Sequence, residues 1–229
     1  ASAASACQDG ASPVLTFTGS GGTAPYTFNY TINGTAYTLT TTTGDSATAN
    51  IDTSVAGSQS VILTGVSDAS CSNVQNDALT VTIQGLPTAT MVADVTAVCQ
   101  NGTSPVITFT GAGGTSPYTF TYTVDGGTPL TISTATGSDS VTLSVPTGTV
   151  GISTYELTGV AEGGADACSQ TQTGTVSITV NPLPTATVTV DAASVCQGGA
   201  SPVVTFTGAG GIAPYTFTYT LNGSSQTAV

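Results

Sequence analysis

Three near-identical segments recur along the chain, and this repetition limits the possible folds more than any other feature. They begin at Cys7, Cys99 and Cys196, so that the two periods are 92 and 97 residues, and they read CQDGASPVLTFTGSGGTAPYTFNYTING, CQNGTSPVITFTGAGGTSPYTFTYTVDG and CQGGASPVVTFTGAGGIAPYTFTYTLNG. A period of about one hundred residues is the size of a small domain, which predicts one folded unit per repeat. We expect a first unit over residues 1–86, whose first strand can be incomplete, a second over 87–183, and a truncated third over 184–229. The sequence is then expected to be a piece of a longer chain.

Proline-containing segments separate the expected units. Gly85-Leu86-Pro87 and Asn181-Pro182-Leu183-Pro184 lie between consecutive repeats. Proline fixes its own φ and restricts the preceding residue to extended conformations, so both linkers are expected to be short and stiff. On this basis the units are expected to follow one another end to end as a semi-rigid rod.

Each repeat alternates apolar and polar residues with a period of two, which is the pattern of half-buried β-strands. In the second repeat the pattern predicts seven short strands, at residues 88–93, 106–110, 118–124, 130–133, 140–145, 153–160 and 175–180. Hairpin turns are predicted at Asn33-Gly34, Asp125-Gly126 and Asn222-Gly223, because a type I′ turn needs two residues of positive φ. Seven strands in about 95 residues predict an all-β fold of immunoglobulin-like β-sandwiches.

The chain has no lysine, arginine or histidine, and its formal net charge is −12. Imidazole bases, His-ligated zinc and Schiff-base lysines are thereby excluded, and no catalytic residues are predicted. Without cationic side chains, binding to nucleic acid or to anionic lipid is not expected. No apolar run is long enough for membrane insertion. About a fifth of the residues are threonine and 28 are glycine, a composition that favours strands and tight turns.

The five cysteines predict two disulfide bonds. Two cysteines fall in each full repeat, which suggests the pairs Cys7–Cys71 and Cys99–Cys168, with Cys196 left unpaired by truncation. Each bridge would stabilise its domain by roughly 4 kcal/mol in the chain-entropy model. Buried free thiols are the alternative, whereas zinc fits poorly because no C-x₂-C spacing exists. Five predicted strands separate the two cysteines of a repeat, and a strict up-and-down order would place them at opposite ends of the sandwich.

Three other groups of residues have both a functional and a structural interpretation. Aspartates near the expected domain ends are weak candidates for calcium, solvated surface carboxylates being the alternative; they are Asp68, Asp94 and Asp191. The aromatic ladder at residues 26–30 can serve as a sugar-stacking platform, but its return in every repeat favours a core role. The glycine-rich stretch at 19–22 is superficially a phosphate loop, but with neither a following helix nor a cation we expect a turn. No cofactor is required by these features.

The strings CQNGTSPVITFTGAGG and PYTFTYT, joined by the linker NPLPTATV, resemble the tandem PKD-like or Ig-like repeats of giant surface proteins in Bacteroidota. The resemblance implies an extracellular protein at the cell surface, exported by type IX secretion. The best-known class of such proteins is the mobile filamentous adhesins of gliding motility. The resemblance implies no catalytic residues. In these bacteria O-glycans are attached to serine or threonine after aspartate and before a small or apolar residue, a pattern met at Ser46 and Ser140.

Three functions are compatible with the sequence. The repeats can form a structural stalk that extends an adhesive tip and bears tension. Each sandwich can instead be a module that binds a glycan or a surface. As a third possible function, the chain is a filament subunit that accepts a strand from a neighbour. Near-identical copies and stiff linkers favour the stalk, whose expected partners are neighbouring repeats and cell-envelope components of motility or secretion. An enzyme is not expected.

Overall fold

Twenty β-strands form three successive groups, one for each repeat. The computed structural model describes residues 1–229. The first group comprises β1 (Ser5–Cys7), β2 (Val14–Thr18), β3 (Thr27–Ile32), β4 (Thr35–Thr40), β5 (Ser46–Asn50), β6 (Gly57–Ser67), β7 (Ser72–Val74) and β8 (Ala78–Gln84). The second comprises β9 (Thr88–Ala93), β10 (Ala97–Cys99), β11 (Val106–Ala112), β12 (Thr119–Val124), β13 (Leu130–Ser133), β14 (Ser140–Ser144), β15 (Gly151–Ala161) and β16 (Ser169–Asn181). The third comprises β17 (Thr185–Val190), β18 (Val204–Ala209), β19 (Phe217–Leu221) and β20 (Ser224–Ala228).

The second repeat is a complete two-sheet sandwich. One sheet has the strand order β10-β16-β15-β12-β13, and the other has the order β14-β11-β9. All neighbouring strands are antiparallel except β10, which runs parallel to the end of β16. This arrangement is that of an immunoglobulin-like sandwich, in which two antiparallel sheets face each other across one core. The predicted all-β, immunoglobulin-like fold class is therefore confirmed.

The core of each sandwich is built from the aromatic ladder and the aliphatic residues opposite it. In the second repeat Tyr118, Phe120 and Tyr122 are buried, and Phe120 stacks on Phe109 with 5.6 Å between ring centroids. The threonines between them point away from the core, as the pleat of a strand requires. The same contact is found in the first repeat, where Phe17 and Phe28 are also 5.6 Å apart. The core interpretation of the ladder is confirmed.

The first repeat reproduces this architecture with one strand fewer in its smaller sheet. Its larger sheet has the order β1-β8-β6-β3-β4, with β7 added beside β6. In the smaller sheet β2 pairs only with β5, whereas its counterpart β11 lies between β14 and β9. The outer edge of β2 therefore has no strand partner among residues 1–229. A groove of about 230 Å³ lies there, lined mostly by apolar residues such as Leu15, Phe17 and Val61.

The third repeat contains the β17–β18 pair and the β19–β20 hairpin. Its aromatic ladder adopts the same packing, with Phe206 and Phe217 stacked at 5.6 Å. All of its residues are nevertheless exposed or only half-buried, because the counterparts of β14, β15 and β16 that would cover them are not part of residues 184–229.

The predicted hairpin turns have the expected backbone conformation in all three repeats. Both central residues have positive φ: 51° and 83° at Asn33-Gly34, 52° and 68° at Asp125-Gly126, and 49° and 83° at Asn222-Gly223. Asparagine and aspartate tolerate this left-handed region better than other residues with a Cβ, and glycine adopts it freely. The turns fix the register of the strands that they join.

Two features of the strands differ from the prediction. The structure adds β10, a three-residue strand, so the second repeat has eight strands rather than seven. Strand β16 begins at Ser169 and not near Thr175, because its polar first half SQTQTG pairs with β15. Neither segment alternates apolar and polar residues. Both become strands only because they are hydrogen-bonded to a neighbouring strand.

The disulfide prediction is wrong in its pairing. The structure contains one bridge, between Cys7 and Cys168, with 5.5 Å between their Cα atoms. Cys99 lies opposite Asn181 at the end of β16, while Cys168 immediately precedes the start of this 13-residue strand. At ~3.3 Å per residue, β16 separates the two cysteines of the second repeat by about 43 Å. They therefore lie at opposite ends of the sandwich, and Cys99–Cys168 cannot form.

The predicted Cys7–Cys71 bridge of the first repeat is excluded for the same reason. Cys7 lies opposite Gln84 at the end of β8, and Cys71 lies at the other end of the sandwich, just before β7. Cys71, Cys99 and Cys196 are free and exposed.

Candidate functional site

The linker between the first two repeats is fixed to the second sandwich. The Nε2 of Gln170 donates a hydrogen bond of 2.7 Å to the carbonyl oxygen of Pro87, and the N–H of Ala89 donates one of 3.1 Å to Oε1 of Gln172. Pro87 is almost fully buried. Both glutamines lie near the start of β16. The linker is therefore held by side chains of the following repeat as well as by its own proline.

The glycine-rich stretch of each repeat is a turn that closes around a tyrosine hydroxyl. In the second repeat the hydroxyl of Tyr118 donates to the carbonyl oxygen of Gly114 at 2.7 Å and accepts from its N–H at 3.1 Å. In the first repeat the N–H of Gly22 donates to the hydroxyl of Tyr26 at 3.0 Å, and in the third the hydroxyl of Tyr215 donates to the carbonyl oxygen of Gly211 at 2.9 Å. The turn interpretation of this stretch is confirmed.

This turn contacts the linker that precedes it. Gly113 has a φ of +78°, and a Cβ added there would lie 3.3 Å from the carbonyl oxygen of Leu86. Gly210 has the same role at the second linker, where an added Cβ would lie 2.9 Å from the carbonyl oxygen of Leu183. Each linker therefore rests against the glycine-rich turn of the repeat that follows.

A carboxylate joins the glycine-rich turn to the second cysteine of its repeat. In the second repeat Glu162 is buried, and its Oε2 accepts a hydrogen bond of 2.6 Å from the N–H of Thr115. The N–H of Glu162 in turn donates to the carbonyl oxygen of Cys168 at 3.0 Å. These bonds hold Cys168 at the end of the sandwich that faces the first repeat.

Asp68 has the corresponding position in the first repeat. Its carboxylate accepts hydrogen bonds from the N–H groups of Thr23, Ser70 and Cys71, and its own N–H donates to the carbonyl oxygen of Cys71. The hydrogen bond from Thr23, with those from Ser70 and Cys71, holds the pKa of this carboxyl below its ordinary value, since each favours the charged form.

The Cys7–Cys168 bridge lies at this junction. Cys168 is only 1% exposed, and the Sγ of Cys7 lies 3.7 Å from the carbonyl oxygen of Asp166. No strand of the first sandwich is hydrogen-bonded to a strand of the second. The bridge is thus a covalent connection between the end of one sandwich and the beginning of the next. The sequence pattern missed it because the two partners belong to different repeats and are 161 residues apart.

The three aspartates considered for calcium are not brought together. Asp94 accepts hydrogen bonds from the N–H groups of Val95 and Val106, and Asp191 accepts one from Val203. Asp68 lies in the first repeat and binds its own turn. No group of three or more His, Cys, Asp or Glu side chains is arranged to hold a metal ion. Each of these carboxylates instead closes a loop by accepting backbone N–H groups.

The two serines of the glycosylation pattern have equivalent positions. Ser46 is the first residue of β5 and Ser140 is the first residue of β14, and both are exposed. Ser46 lies opposite Thr18, and Ser140 lies opposite Thr110. Both hydroxyls are therefore accessible at the same edge of their sandwiches.

Known proteins resemble the chain in fold only. No protein-family model and no curated protein sequence matches it. Among solved structures, a Ca²⁺-stabilised adhesin that helps an Antarctic bacterium bind ice is 20% identical over 94% of this chain and 57% of that chain, with a TM-score of 0.46. A 1.5-MDa bacterial ice-binding adhesin is 16% identical over 98% of this chain and 79% of that one, with a TM-score of 0.43. Invasin, a bacterial integrin-binding protein, is 15% identical over 85% of this chain and 42% of that one, with a TM-score of 0.35.

No helix in the structure has both the length and the apolar character needed to cross a lipid bilayer.

Proposed function

We propose that this chain is a stalk segment of a long extracellular surface adhesin, in which the repeats extend a binding tip from the cell and bear tension. The observation that carries the proposal is that the first two repeats have separate hydrophobic cores, and no strand of one sandwich is hydrogen-bonded to a strand of the other. The end of the first sandwich instead meets the beginning of the second at the linker and at the Cys7–Cys168 bridge. Sandwiches joined in this way follow one another in a row.

The junction supports the proposed stalk because it limits bending between repeats. The linker is hydrogen-bonded to β16, rests against the glycine-rich turn, and has a disulfide bond beside it. A disulfide bond is typical of extracellular and other oxidising compartments, which agrees with a location at the cell surface. The absence of lysine and arginine also removes every cleavage position for trypsin-like proteases.

The finer part of the proposal follows the sequence resemblance to the giant surface proteins of Bacteroidota. On this basis the parent protein is a type IX-secreted adhesin of the gliding-motility type. Its partners are the neighbouring repeats and envelope components of motility or secretion. No cofactor is part of the proposal. An enzymatic role is not proposed.

Small-angle X-ray scattering of the chain tests the stalk. A compact globule of 229 residues has a radius of gyration of about 17 Å. Two and a half sandwiches of ~40 Å in a row form a rod of roughly 100 Å, whose radius of gyration is near 30 Å. We expect the larger value. A value near 17 Å would show the sandwiches packed side by side and would contradict the stalk.

A second candidate is a filament subunit that accepts a strand from another chain. An accepted strand would lie along β2 in the position that β9 has beside β11 in the second repeat. A strand-exchanged filament would form oligomers whose mass rises with protein concentration. Light scattering on the purified chain distinguishes the two candidates, because a stalk segment stays monomeric.

The two glycosylation candidates are also part of the proposal. If Ser46 and Ser140 carry O-glycans, protein from its native source has extra mass on the two peptides that contain these residues. Bare serines at both positions in that material would remove this part of the proposal and leave the stalk itself unaffected.

A further inference from the structure

The first cysteine has the same surroundings in the first two repeats, and the same turn follows it in all three. In the first repeat Cys7 lies opposite Gln84, and the next residue, Gln8, donates its N–H to the carbonyl oxygen of Gln84. In the second repeat Cys99 lies opposite Asn181, and Gln100 donates to Asn181 in the same way. In all three repeats a short turn follows the cysteine, and a glycine N–H closes it by donating a hydrogen bond to the cysteine carbonyl oxygen. The glycines are Gly10, Gly102 and Gly199. Cys7 and Cys99 are therefore fixed by the same local structure, and Cys196 has the same turn.

The second cysteine is also fixed in the same way in both repeats that contain it. The carbonyl oxygen of Cys71 accepts the N–H of Asp68, and that of Cys168 accepts the N–H of Glu162. The carboxylates of Asp68 and Glu162 both bind the glycine-rich turn, through Thr23 and Thr115. This geometry is kept although the loop before Cys168 is three residues longer.

Cys99 already faces the place that the next second cysteine would occupy. It lines a cleft of about 360 Å³ together with Pro184, Gly210 and Tyr215 of the following linker and glycine-rich turn. In the second repeat the same turn is bound to Glu162, and through it to Cys168. The cleft beside Cys99 thus corresponds to the space that Cys168 fills beside Cys7.

We propose that the Cys7–Cys168 bridge is one link of a repeating pattern, in which the first cysteine of each repeat pairs with the second cysteine of the next. Cys99 is then the site of the following link, and Cys196 is the site of the one after it. Cys71 is the acceptor for the first cysteine of any repeat placed before the first. The inference goes beyond the stalk function, because a stalk of sandwiches needs no covalent connection between its domains.

Each link forms by oxidation of two thiols. The two sulfur atoms form one bond and lose two protons and two electrons, which pass to a disulfide oxidant such as oxidised glutathione, itself reduced to two thiols. The pattern explains why the exposed cysteines are free within residues 1–229. None of them has, inside this chain, the partner that the pattern assigns to it.

The pattern produces overlapping loops along the array. The shortest path along covalent bonds passes through the disulfide from Cys7 to Cys168 and then follows the chain for 28 residues to Cys196. There it passes through the next disulfide of the pattern. At ~3.4 Å per residue, 28 residues extend to roughly 95 Å, while two folded sandwiches of about 43 Å span some 86 Å. The shortest covalent path is therefore close to the folded length. Unfolding under tension would lengthen such an array very little.

The test completes the third repeat. Val229 has the position of Ser133, because Phe217 pairs with Ala228 as Phe120 pairs with Ile132. The full chain is therefore extended after Val229 by a second copy of residues 134–181, which supplies the missing strands and one new cysteine. The protein is refolded in a glutathione redox buffer, its free thiols are alkylated, and its disulfides are mapped by mass spectrometry of a peptic digest.

We expect two bridges, Cys7–Cys168 and Cys99 to the new cysteine, with Cys71 and Cys196 alkylated without reduction. Cys99→Ser should free the new cysteine, and Cys196→Ser, the matched control, should leave the new bridge intact. A bridge between the new cysteine and Cys196, or alkylation of Cys99 without reduction, would overturn the proposal.

The chain without the extension provides an independent measurement. Its digest must contain the Cys7–Cys168 bridge, and a Cys7–Cys71 or Cys99–Cys168 bridge would refute the pattern whether or not the extended third repeat folds. Small-angle scattering of the reduced chain tests the elongated shape of the stalk separately from the bridge, because the linkers still join the sandwiches end to end after reduction.

Discussion

Tyr118 and Gly111 show how tightly one residue limits its neighbour in these sandwiches. The tyrosine ring lies across the glycine, so that a Cβ at position 111 would be 2.5 Å from its Cγ. The first and third repeats have the same contact, between Gly19 and Tyr26 and between Gly208 and Tyr215. The ring can reach the glycine-rich turn with its hydroxyl only because the strand below it has no side chain there.

The substitution Gly111→Ala should destabilise the second sandwich. The added methyl group forces Tyr118 away from the turn, and overpacking of this kind costs ~1–3 kcal/mol. Thermal unfolding followed by calorimetry measures the loss. Gly148→Ala is the matched control, since a Cβ at Gly148 meets no atom within 4 Å. Equal melting temperatures for the two variants would contradict the close contact between Gly111 and Tyr118.

Ionisation of two buried phenols should lower the stability of the protein at alkaline pH. Burial raises the pKa of Tyr30, with a smaller contribution from Tyr37, and burial raises the pKa of Tyr155, with smaller contributions from Tyr122 and Asp125. Unfolded tyrosines ionise near pH 10. The stability that these neutral phenols contribute is therefore fully present below about pH 10 and is lost as the pH rises through their raised folded values.

An ultraviolet titration of phenolate formation measures this effect, and the absence of lysine, arginine and histidine leaves few other groups to titrate there. Tyr30→Phe and Tyr155→Phe should each remove one late-ionising phenol. Tyr37→Phe should lower the pKa of Tyr30, since it removes the neighbouring charge. A titration curve unchanged by all three substitutions would contradict the burial assigned to these rings.

At the scale of elements, β16 organises both ends of its sandwich. It begins beside Cys168 at the junction with the first repeat and ends beside Cys99 at the junction with the third. Near its start, Gln170 and Gln172 bind the incoming linker. One strand of 13 residues thereby sets the distance between successive junctions.

Gln172→Ala should loosen the linker in a way that can be measured at one atom. The N–H of Ala89 donates to Gln172 in the structure, and loss of a hydrogen bond worth ~1 kcal/mol corresponds to roughly fivefold faster exchange of this amide hydrogen. Hydrogen exchange followed by NMR reports the rate. Gln226→Ala on the exposed strand β20 is the control and should leave Ala89 unchanged. If Ala89 exchanges equally fast in both variants, the linker is not held by Gln172.

At the scale of the whole molecule, the bridge determines how far the chain can be stretched. The two cysteines are 161 residues apart, and the residues between them carry no load while the bridge is intact. Pulling the chain from its termini should therefore extend only the segments outside the loop. Reduction should add roughly 560 Å of contour length, at ~3.5 Å per residue.

Single-molecule force spectroscopy with and without reductant measures this difference. The Cys7→Ser variant should show the long extension under both conditions, whereas Cys71→Ser should behave like the unmodified chain. An extension of the unmodified chain that does not depend on reductant would show that the bridge does not carry load.

The sequence alone determined the repeats, the all-β fold class, the hairpin turns and the aromatic core, because each depends on local periodicity or on the backbone preference of one or two residues. The positions of β11 and β12, for example, follow from the alternation of Phe109 and Phe120 with threonine. Strand β10 and the polar first half of β16 could not be predicted in this way, since only hydrogen bonds to neighbouring strands form them.

The pairing of the cysteines was decided by the tertiary structure. Counting cysteines per repeat indicated a bridge within each domain, but the length of β16 places the two cysteines of a domain about 43 Å apart. The end of one sandwich meets the beginning of the next, and this contact brings Cys7 to Cys168. Repetition specifies what each domain looks like, whereas only the arrangement of two domains in space specifies which of their ends come together.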